Sequence, residues 1–238
     1  MRISVGDVRS LLSIMKTNSE KLLNEIYVMT EDQKIKDKVL QILRIEQSQA
    51  KGKFDYYKFV SKDKIRPIMT GVFHDSGFKV ASDCHILVAI KDEYDVSELE
   101  GKVVGKDGAF IEGKYPNWRA VIPDLTVREK KTETVKINFT KWDEIMATWK
   151  AEKKVGDEKR AVKVGNAYYQ VELFNLLILA LKRLGVNEFI NTWTVRGVAK
   201  GLEIVEEDMP RAGFVRTSDG SVALLMPFNV DAEEYYVL

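Results

Sequence analysis

The sequence predicts an α+β fold with a helical extension at its N-terminus. Apolar residues in the first fifty positions recur at helical spacing. From Lys51-Gly52-Lys53 onward, the pattern changes to short strand-like runs separated by glycine-containing turns. One dense apolar helix is predicted from about Val171 to Leu184, and Gly185 follows it in a C-capping position. Strands mixed with a few helices favour α+β over a regular βαβ repeat.

The composition allows two domains and excludes few functions. The chain has 238 residues, of which 45% are hydrophobic and 31% are charged, so it can bury a core. Its formal net charge is +1, from 37 basic and 36 acidic residues. A DNA-binding domain usually shows a basic excess, although charge can be segregated onto one face. Composition therefore neither indicates nor excludes a nucleic-acid partner.

The chain is expected to be cytoplasmic and to have no membrane partner. Cys84 is the single cysteine, so no intramolecular disulfide can form. The first residues lack the apolar region of a secretory signal. The apolar run at 173–184 contains polar residues and is too short to span a bilayer.

Two helices are predicted before residue 51. The second is expected to begin at Thr30, because Thr30-x-x-Gln33 has the form of a capping box. Its apolar positions lie on one face of the helix, which could pack against another surface. The pair could pack on the rest of the fold, or it could serve as an arm for oligomerisation or partner docking.

The remainder of the chain is predicted to form two β-rich blocks. Strands of the first are expected at 68–74, 78–82, 86–91, 102–105 and 109–113, and polar residues 125–134 are the candidate linker. Strands of the second are expected at 135–139, 161–164, 189–195, 202–205, 213–217 and 222–227. A helix is predicted from Thr140, and residues 150–160 are predicted to be a charged loop. Asp75-Ser76-Gly77 and Ser218-Asp219-Gly220 are typical hairpin turns.

Three segments resemble the bacterial DNA sliding clamp, the beta subunit of the replicative polymerase. Residues 66–73 and 77–87, which end in Ala-Ser-Asp-Cys-His-Ile-Leu, are similar to middle-domain strands that end in Ala-Thr-Asp-Gly-His-Arg-Leu. Residues 111–123, Ile-Glu-Gly-Lys-Tyr-Pro-Asn-Trp-Arg-Ala-Val-Ile-Pro, resemble the segment that closes that domain. Residues 219–228 resemble the Met-Pro tail of the last clamp domain, and the three segments occur in the family's order.

The resemblance implies a DNA-clamp-like fold of antiparallel sheets with helices on one face. It divides the chain into a helical extension at 1–52, a domain like the middle clamp domain at 53–126, and one like the C-terminal domain at 127–238. It implies a processivity or scaffold protein that encircles double-stranded DNA without reading sequence. Polymerases and other replication or repair proteins would dock through short peptides. Because family rings contain six such domains, a two-domain chain would form a homotrimer.

In the family, the Asp-Gly-His loop and the Met-Pro tail form a hydrophobic pocket for partner peptides. Carried over by position, the pocket residues here are Ser82, Cys84, His85, Ile86, Leu87, Leu224, Met226, Pro227 and Phe228. The family has Gly at the position of Cys84 and Arg at the positions of Ile86 and Asn229. The missing cations predict a peptide that is less acidic, or otherwise different. On pattern alone, Leu224 and Met226 also fit ordinary alternating strand residues.

The resemblance also implies basic helix residues that face DNA phosphates. The candidates are Lys141, Lys150, Lys182 and Arg183. Each of them also fits an ordinary solvated helix face.

An enzyme is not expected, and neither is a metal or a cofactor. Cys84 and His85 are adjacent, and neighbours on a strand point to opposite faces, so they do not form a nucleophile and its base. Two histidines and one cysteine supply too few zinc ligands, and no glycine pattern matches a phosphate loop. The alternative function is a clamp-derived interaction module that forms no ring and binds a protein through residues 224–228 or the N-terminal helices.

Overall fold

The computed structural model describes residues 26–27, 29–32, 34–39, 54–91, 99–125, 130–156, 158–200, 203–228 and 235–238. The strands in these residues are β1 (Val72–Asp75), β2 (Phe78–Ser82), β3 (Ile86–Lys91), β4 (Val103–Val104), β5 (Phe110–Ile111), β6 (Lys130–Lys136), β7 (Ala161–Val164), β8 (Ala167–Gln170), β9 (Glu188–Lys200), β10 (Glu203–Arg216), β11 (Val222–Leu225) and β12 (Tyr235–Val237). The α-helices with complete bounds are α1 (Phe139–Val155) and α2 (Val171–Leu184), and 3-10 helices cover Tyr56–Lys58, Pro67–Thr70 and Trp118–Val121. The predicted α+β class is confirmed.

Nine strands form one sheet in the order β5-β4-β1-β2-β3-β11-β10-β9-β6, and each neighbouring pair is antiparallel. The remaining strands form a smaller sheet in the order β12-β7-β8. There, β12 runs parallel to β7, so the second sheet is mixed rather than antiparallel as expected. Strands from both predicted blocks join the large sheet, because β3 pairs with β11 from Val222↔Ala89 to Leu225↔Ile86.

The central strands of the large sheet are buried on both faces. Along β3, Ile86 and Val88 belong to one apolar cluster, whereas Leu87 and Ala89 belong to the other. Successive side chains of a strand point to opposite faces, so this alternation assigns one cluster to each face. A strand that is buried on both faces needs apolar residues at successive positions, which explains the sequence Ile-Leu-Val-Ala-Ile.

Both helices pack in the cluster on one face, as the clamp-like fold implied. Helix α2 buries residues at helical spacing, among them Phe174, Leu177 and Leu181. It ends at Gly185, whose φ of 68° is left-handed and favours glycine. The opposite face is covered by loops and short 3-10 helices, whose buried contributions are Met69, Tyr115 and Trp118.

Asp75 ties the segment around Trp118 to the β1–β2 hairpin. The Trp118 indole Nε1 donates to Asp75 Oδ2 at 2.7 Å, and Arg119 forms an ion pair with the same carboxylate. Partial burial would raise the pKa of Asp75, but hydrogen bonds from Trp118, Arg119 and Ser76 outweigh it and hold that pKa below its usual range. The closing segment of the first block is therefore fixed by a charged group as well as by apolar packing.

A buried polar network joins the small sheet to the large one. Tyr169 Oη donates to Asn191 Oδ1 at 2.7 Å, and Asn191 Nδ2 donates to Val164 O at 2.8 Å and Glu133 Oε2 at 3.0 Å. The same carboxylate accepts from the backbone N–H of Asn166 at 2.9 Å. Burial and the nearby Glu133 raise the pKa of Tyr169 well above its usual range, so it remains a neutral donor.

Two predicted loops are regular structure. The prediction of a charged loop at 150–160 is wrong for its first half. Helix α1 continues to Val155 and is capped by Gly156, which has a left-handed backbone conformation. Its exposed charges are stabilised locally, since Lys153 pairs with Glu172 of α2 and lies 4.4 Å from the Trp149 ring centroid.

The prediction of a linker at 125–134 is also wrong for residues 130–134, which the structure describes as strand. Lys130–Lys136 forms β6, an edge strand paired with β9 from Lys130↔Thr194 to Lys136↔Glu188. Its polar sequence suits an edge strand exposed to solvent, which local composition cannot distinguish from a loop. The strand expected at 135–139 therefore starts earlier and ends at Lys136, before α1 begins at Phe139.

Other boundaries differ from the sequence-based expectations. Pro67–Thr70 is a 3-10 helix, with Met69 N–H donating to Arg66 O at 2.9 Å, so the strand expected at 68–74 begins at Val72. The strands expected at 202–205 and 213–217 are parts of one strand, β10. The helical residues 34–39 follow Asp32, whose carboxylate accepts from Lys34 N–H at 2.9 Å, so the expected cap at Thr30 is wrong.

Most of the predicted N-terminal extension, 1–52, lies outside the described residues. The division into clamp-like domains at 53–126 and 127–238 stays a prediction. None of the helices in the described part of the chain is long and apolar enough to cross a bilayer.

Gly213 provides a test of the packing between β10 and the small sheet. It lies where the β9–β10 register shifts, and a Cβ there would overlap the Phe189 ring and the Tyr169 hydroxyl. Gly213→Ala should therefore lower the free energy of unfolding by about 3 kcal/mol, through overpacking and disruption of the Tyr169 hydrogen bond. Urea denaturation measures this change.

Gly156→Ala is the matched control for Gly213→Ala. A Cβ at Gly156 meets open space, so that substitution adds only left-handed backbone strain of about 1 kcal/mol. Equal losses for the two variants would contradict the close packing at Gly213.

Candidate functional site

The turn between β2 and β3 is a rigid structure built by two short polar side chains. Asp83 Oδ1 accepts from the backbone N–H groups of His85 at 2.9 Å and Ile86 at 2.8 Å. Ser82 Oγ donates to Ile86 O at 2.8 Å and accepts from Cys84 N–H at 3.1 Å. These local bonds satisfy the backbone of the turn and leave the Cys84 and His85 side chains exposed.

Cys84 occupies a backbone conformation that favours glycine. Its φ is 78°, in the left-handed region, and the resembling family has glycine at this position. The exposed thiol accepts a hydrogen bond from Arg66 Nη1, with the nitrogen 3.4 Å from Sγ. Arg66 thus brings a cation to the turn, although position 86 carries none.

The tail, defined here as Met226–Phe228, connects this turn to the small sheet. Met226 N–H donates to His85 O at 2.8 Å, directly beyond the last β3–β11 pair, Leu225↔Ile86. Phe228 N–H donates to Tyr168 O of β8, also at 2.8 Å. The backbone of the tail is therefore held at both ends. Met226 is 41% exposed, and Pro227 and Phe228 are half-buried.

The predicted pocket residues separate into buried and accessible groups. Ser82, Ile86, Leu87 and Leu224 are buried. Ile86 lies in the cluster that contains the helices, whereas Leu87 and Leu224 lie in the cluster on the opposite face. These four side chains support the site from within the fold. Its accessible surface comes from the turn residues Cys84 and His85 together with the tail.

Tyr168, whose backbone holds the end of the tail, belongs to an aromatic pair that was not predicted. The rings of Tyr168 and Tyr235 meet edge to face with centroids 5.0 Å apart. Lys163 Nζ lies 5.7 Å from the Tyr168 centroid and 5.9 Å from that of Tyr235. Sequence reasoning missed them because β8 and β12 were not expected, and Arg66 was missed because nothing local relates it to Cys84.

Tyr115 belongs to the same apolar cluster as Leu87 and Leu224, and its ring stacks on Phe73 at a centroid distance of 4.7 Å. Burial, with the neighbouring Cys84 adding to it, raises the pKa of Tyr115 well above its usual range, so the hydroxyl stays protonated. Within the described residues, this hydroxyl is the one buried side-chain polar atom without a hydrogen-bond partner.

The four residues predicted to face DNA are exposed on the two helices. Lys141 and Lys150 lie on α1, and Lys182 and Arg183 lie in the last turn of α2. Lys182 Nζ is 3.5 Å from Asp143 Oδ1, so acidic side chains are interspersed with these cations. The helices carry a mixed charge pattern rather than a continuous basic stripe.

Cys84 is hydrogen-bonded to a cation rather than to a general base. Its hydrogen-bond partner is the Arg66 guanidinium, which cannot accept a proton as a general base must. Across the residues that the structure describes, no group of three or more His, Cys, Asp or Glu side chains is arranged to hold a metal ion.

The chain is similar in structure to bacterial DNA sliding clamps. One is the DNA polymerase sliding clamp of Bacillus subtilis, at 15% identity and a TM-score of 0.44, with 82% of this chain and 63% of that chain covered. Another is DNA polymerase III subunit beta of Borrelia burgdorferi, at 11% identity and a TM-score of 0.46, with 82% of this chain and 63% of that chain covered. A third is the DNA polymerase III beta subunit of Thermotoga maritima, at 14% identity and a TM-score of 0.43, with 80% of this chain and 64% of that chain covered.

The aligned part of this protein thus spans less than two thirds of the length of those clamps. No protein-family model and no curated protein matches the sequence.

Cys84→Gly should stabilise the protein. The substitution relieves left-handed strain of about 1–2 kcal/mol, while the greater freedom of glycine in the unfolded chain offsets roughly 0.4–1 kcal/mol. A net gain of about 0.5–1 kcal/mol in the free energy of unfolding is expected from urea denaturation under reducing conditions. Cys84→Ala, which keeps the strain, should give no gain, and equal gains for both variants would contradict the strained turn.

Proposed function

We propose that this protein is a non-enzymatic, clamp-like scaffold that docks short apolar peptides at its tail and encircles duplex DNA as an oligomer. The observation that carries the proposal is the hydrogen bond from Met226 N–H to His85 O. It brings together the two segments that resemble the peptide pocket of sliding clamps, although they are about 140 residues apart in sequence.

The tail has the chemistry of a peptide-docking surface. Methionine is flexible and polarizable, so Met226 can adapt to an incoming apolar side chain. Pro227 and Phe228 are stiffer, and the backbone bonds to His85 and Tyr168 hold the segment in place before a partner arrives. Less conformational entropy is then lost on binding, which favours affinity for a short segment.

The charges around the turn define the preferred peptide. Ile86 stands where the family has an arginine, and it is fully buried. Arg66 supplies a guanidinium at Cys84 instead. A peptide with neighbouring apolar anchors and a single acidic residue directed at Arg66 fits this arrangement better than a strongly acidic one. Polymerases and other replication or repair proteins are the proposed sources of such peptides.

Encirclement of DNA requires several copies of the chain. Two clamp-like domains, at 53–126 and 127–238, would give a six-domain ring as a trimer. In the described part of the large sheet, β5 and β6 each have a strand on one side only, so a neighbouring copy could extend the sheet there. Lys141, Lys150, Lys182 and Arg183 would face the phosphates, and their contacts would weaken with added salt.

A protein-interaction module without a ring is the second candidate, and the charge pattern of the helices favours it. Lys182 lies near Asp143, and Lys153 pairs with Glu172, so part of the positive charge on α1 and α2 is neutralised within the chain. Such a module would use the same tail and would not retain DNA.

Met226→Asp should abolish most peptide binding at the tail. The probe is a fluorescein-labelled synthetic peptide with adjacent Leu and Phe anchors, followed by fluorescence anisotropy. A buried carboxylate opposite an apolar anchor should raise the Kd by about tenfold or more. The control is Met209→Asp on β10, because Met209 is similarly exposed, at 39%. Equal effects of both substitutions, or none from Met226→Asp, would refute docking at the tail.

The ring is tested by retention on circular and linear DNA of the same sequence. A protein that encircles DNA should stay on a closed circle after a wash in high salt and leave a linear duplex through its free ends. Equal loss from both substrates, together with peptide binding at the tail, would favour the interaction module.

A further inference from the structure

A cleft lies beside the C-terminal end of α2, apart from the tail and its turn. Its volume is ≈ 430 Å³, and it is lined by Phe54, Asp55, Lys58, Phe59, Leu179, Lys182 and Arg183. The lining combines two elements distant in sequence, the 3-10 helix Tyr56–Lys58 with its flanks and the last turns of α2.

The floor of the cleft is apolar and rigid. Phe59 is buried, and the half-buried Phe54 ring stacks on it with centroids 5.0 Å apart. Tyr56 meets Phe54 edge to face at the same distance, so the aromatic ring at the floor is held on two sides. Leu179 remains 36% exposed on α2, although it is a large apolar side chain.

The rim carries three cations and one carboxylate. The carboxylate of Asp55 accepts from Tyr57 N–H at 3.1 Å and so caps the 3-10 helix. Lys182 has Asp143 at 3.5 Å, but among the described residues neither Lys58 nor Arg183 forms an ion pair. Lys182 and Arg183 also suit the negative end of the α2 dipole, whereas Lys58 comes from another element. The rim is therefore a cationic surface around an apolar floor.

We propose that this cleft binds a short acidic segment of a partner protein that also carries a bulky apolar side chain. The apolar side chain would lie on Phe54 and Leu179, and its flanking carboxylates would reach Lys58 and Arg183. Charge complementarity steers such a segment to the rim, and burial of the apolar side chain stabilises it there.

Two other occupants fit the cleft less well. Duplex DNA presents phosphates on a convex surface and would leave the apolar floor uncovered. The chain's own residues 1–53 contain ten Lys and Arg against seven Asp and Glu, so their charge has the same sign as the rim. An acidic partner segment complements both the rim and the floor.

The proposal is independent of docking at the tail. It competes with DNA for Lys182 and Arg183, which line the cleft, and leaves Lys141 and Lys150 on α1 as the proposed contacts with DNA phosphates. It is tested on the full chain by fluorescence anisotropy with a labelled peptide of Asp and Glu flanking one Phe. Lys58→Glu combined with Arg183→Glu should weaken binding about tenfold or more, because each reversal replaces an attraction by a repulsion. Lys64→Glu combined with Lys106→Glu changes the net charge equally at exposed sites outside the cleft, and it should leave the Kd within about twofold.

The remaining controls separate this cleft from the tail and from a DNA surface. Replacing the Phe of the probe by Ala should weaken binding, whereas Met226→Asp in the protein should not. Circular dichroism confirms that each variant is folded. No binding of the acidic probe would overturn the proposal, as would equal weakening by the two charge-reversal pairs. It would also be overturned if duplex DNA bound in place of the peptide and lost affinity on Lys58→Glu with Arg183→Glu.

Discussion

The pairing of β3 with β11 is the constraint on which the rest of the structure depends. It joins residues 86–89 to residues 222–225 and makes one sheet from strands of both halves of the chain. Each strand contributes alternate side chains to two apolar clusters, so one register fixes both faces at once. A slip of one residue would exchange the two sets, and neither cluster would then pack.

This register also places the candidate site. Leu225 is the last paired residue of β11, and the chain leaves the ladder opposite the turn that Asp83 organises. Met226 is the first residue beyond the last β3–β11 pair, and its N–H donates to His85 O. The tail then continues to β8, where Phe228 N–H donates to Tyr168 O. The exposed surface of the candidate site is small, but the buried residues of β3 and β11 hold its backbone in place. A docking segment that is already ordered loses little entropy when it binds a partner.

Local signals in the sequence predicted part of this arrangement. The turns at Ser76-Gly77 and Asp219-Gly220 and the end of α2 at Gly185 follow from backbone preferences that neighbouring residues reveal. Strand β12 and the extent of β6 depend on partners far away in the chain, so composition predicted a loop at β6 and nothing at β12. At the site, the motif resemblance identified the turn and the tail. It could not tell that both faces of the strand at Ile86 and Leu87 would be covered by apolar clusters, because that depends on elements far away in the chain.

Encirclement of DNA would depend on assembly, since two proposed domains per chain enclose DNA only in several copies. The most direct measurement is the solution mass by light scattering over a range of protein concentrations. The account predicts a stable trimer of the 27.2 kDa chain, which supplies six clamp-like domains. A monomer that persists at every concentration would contradict a self-assembled ring and leave the protein as a peptide-binding module.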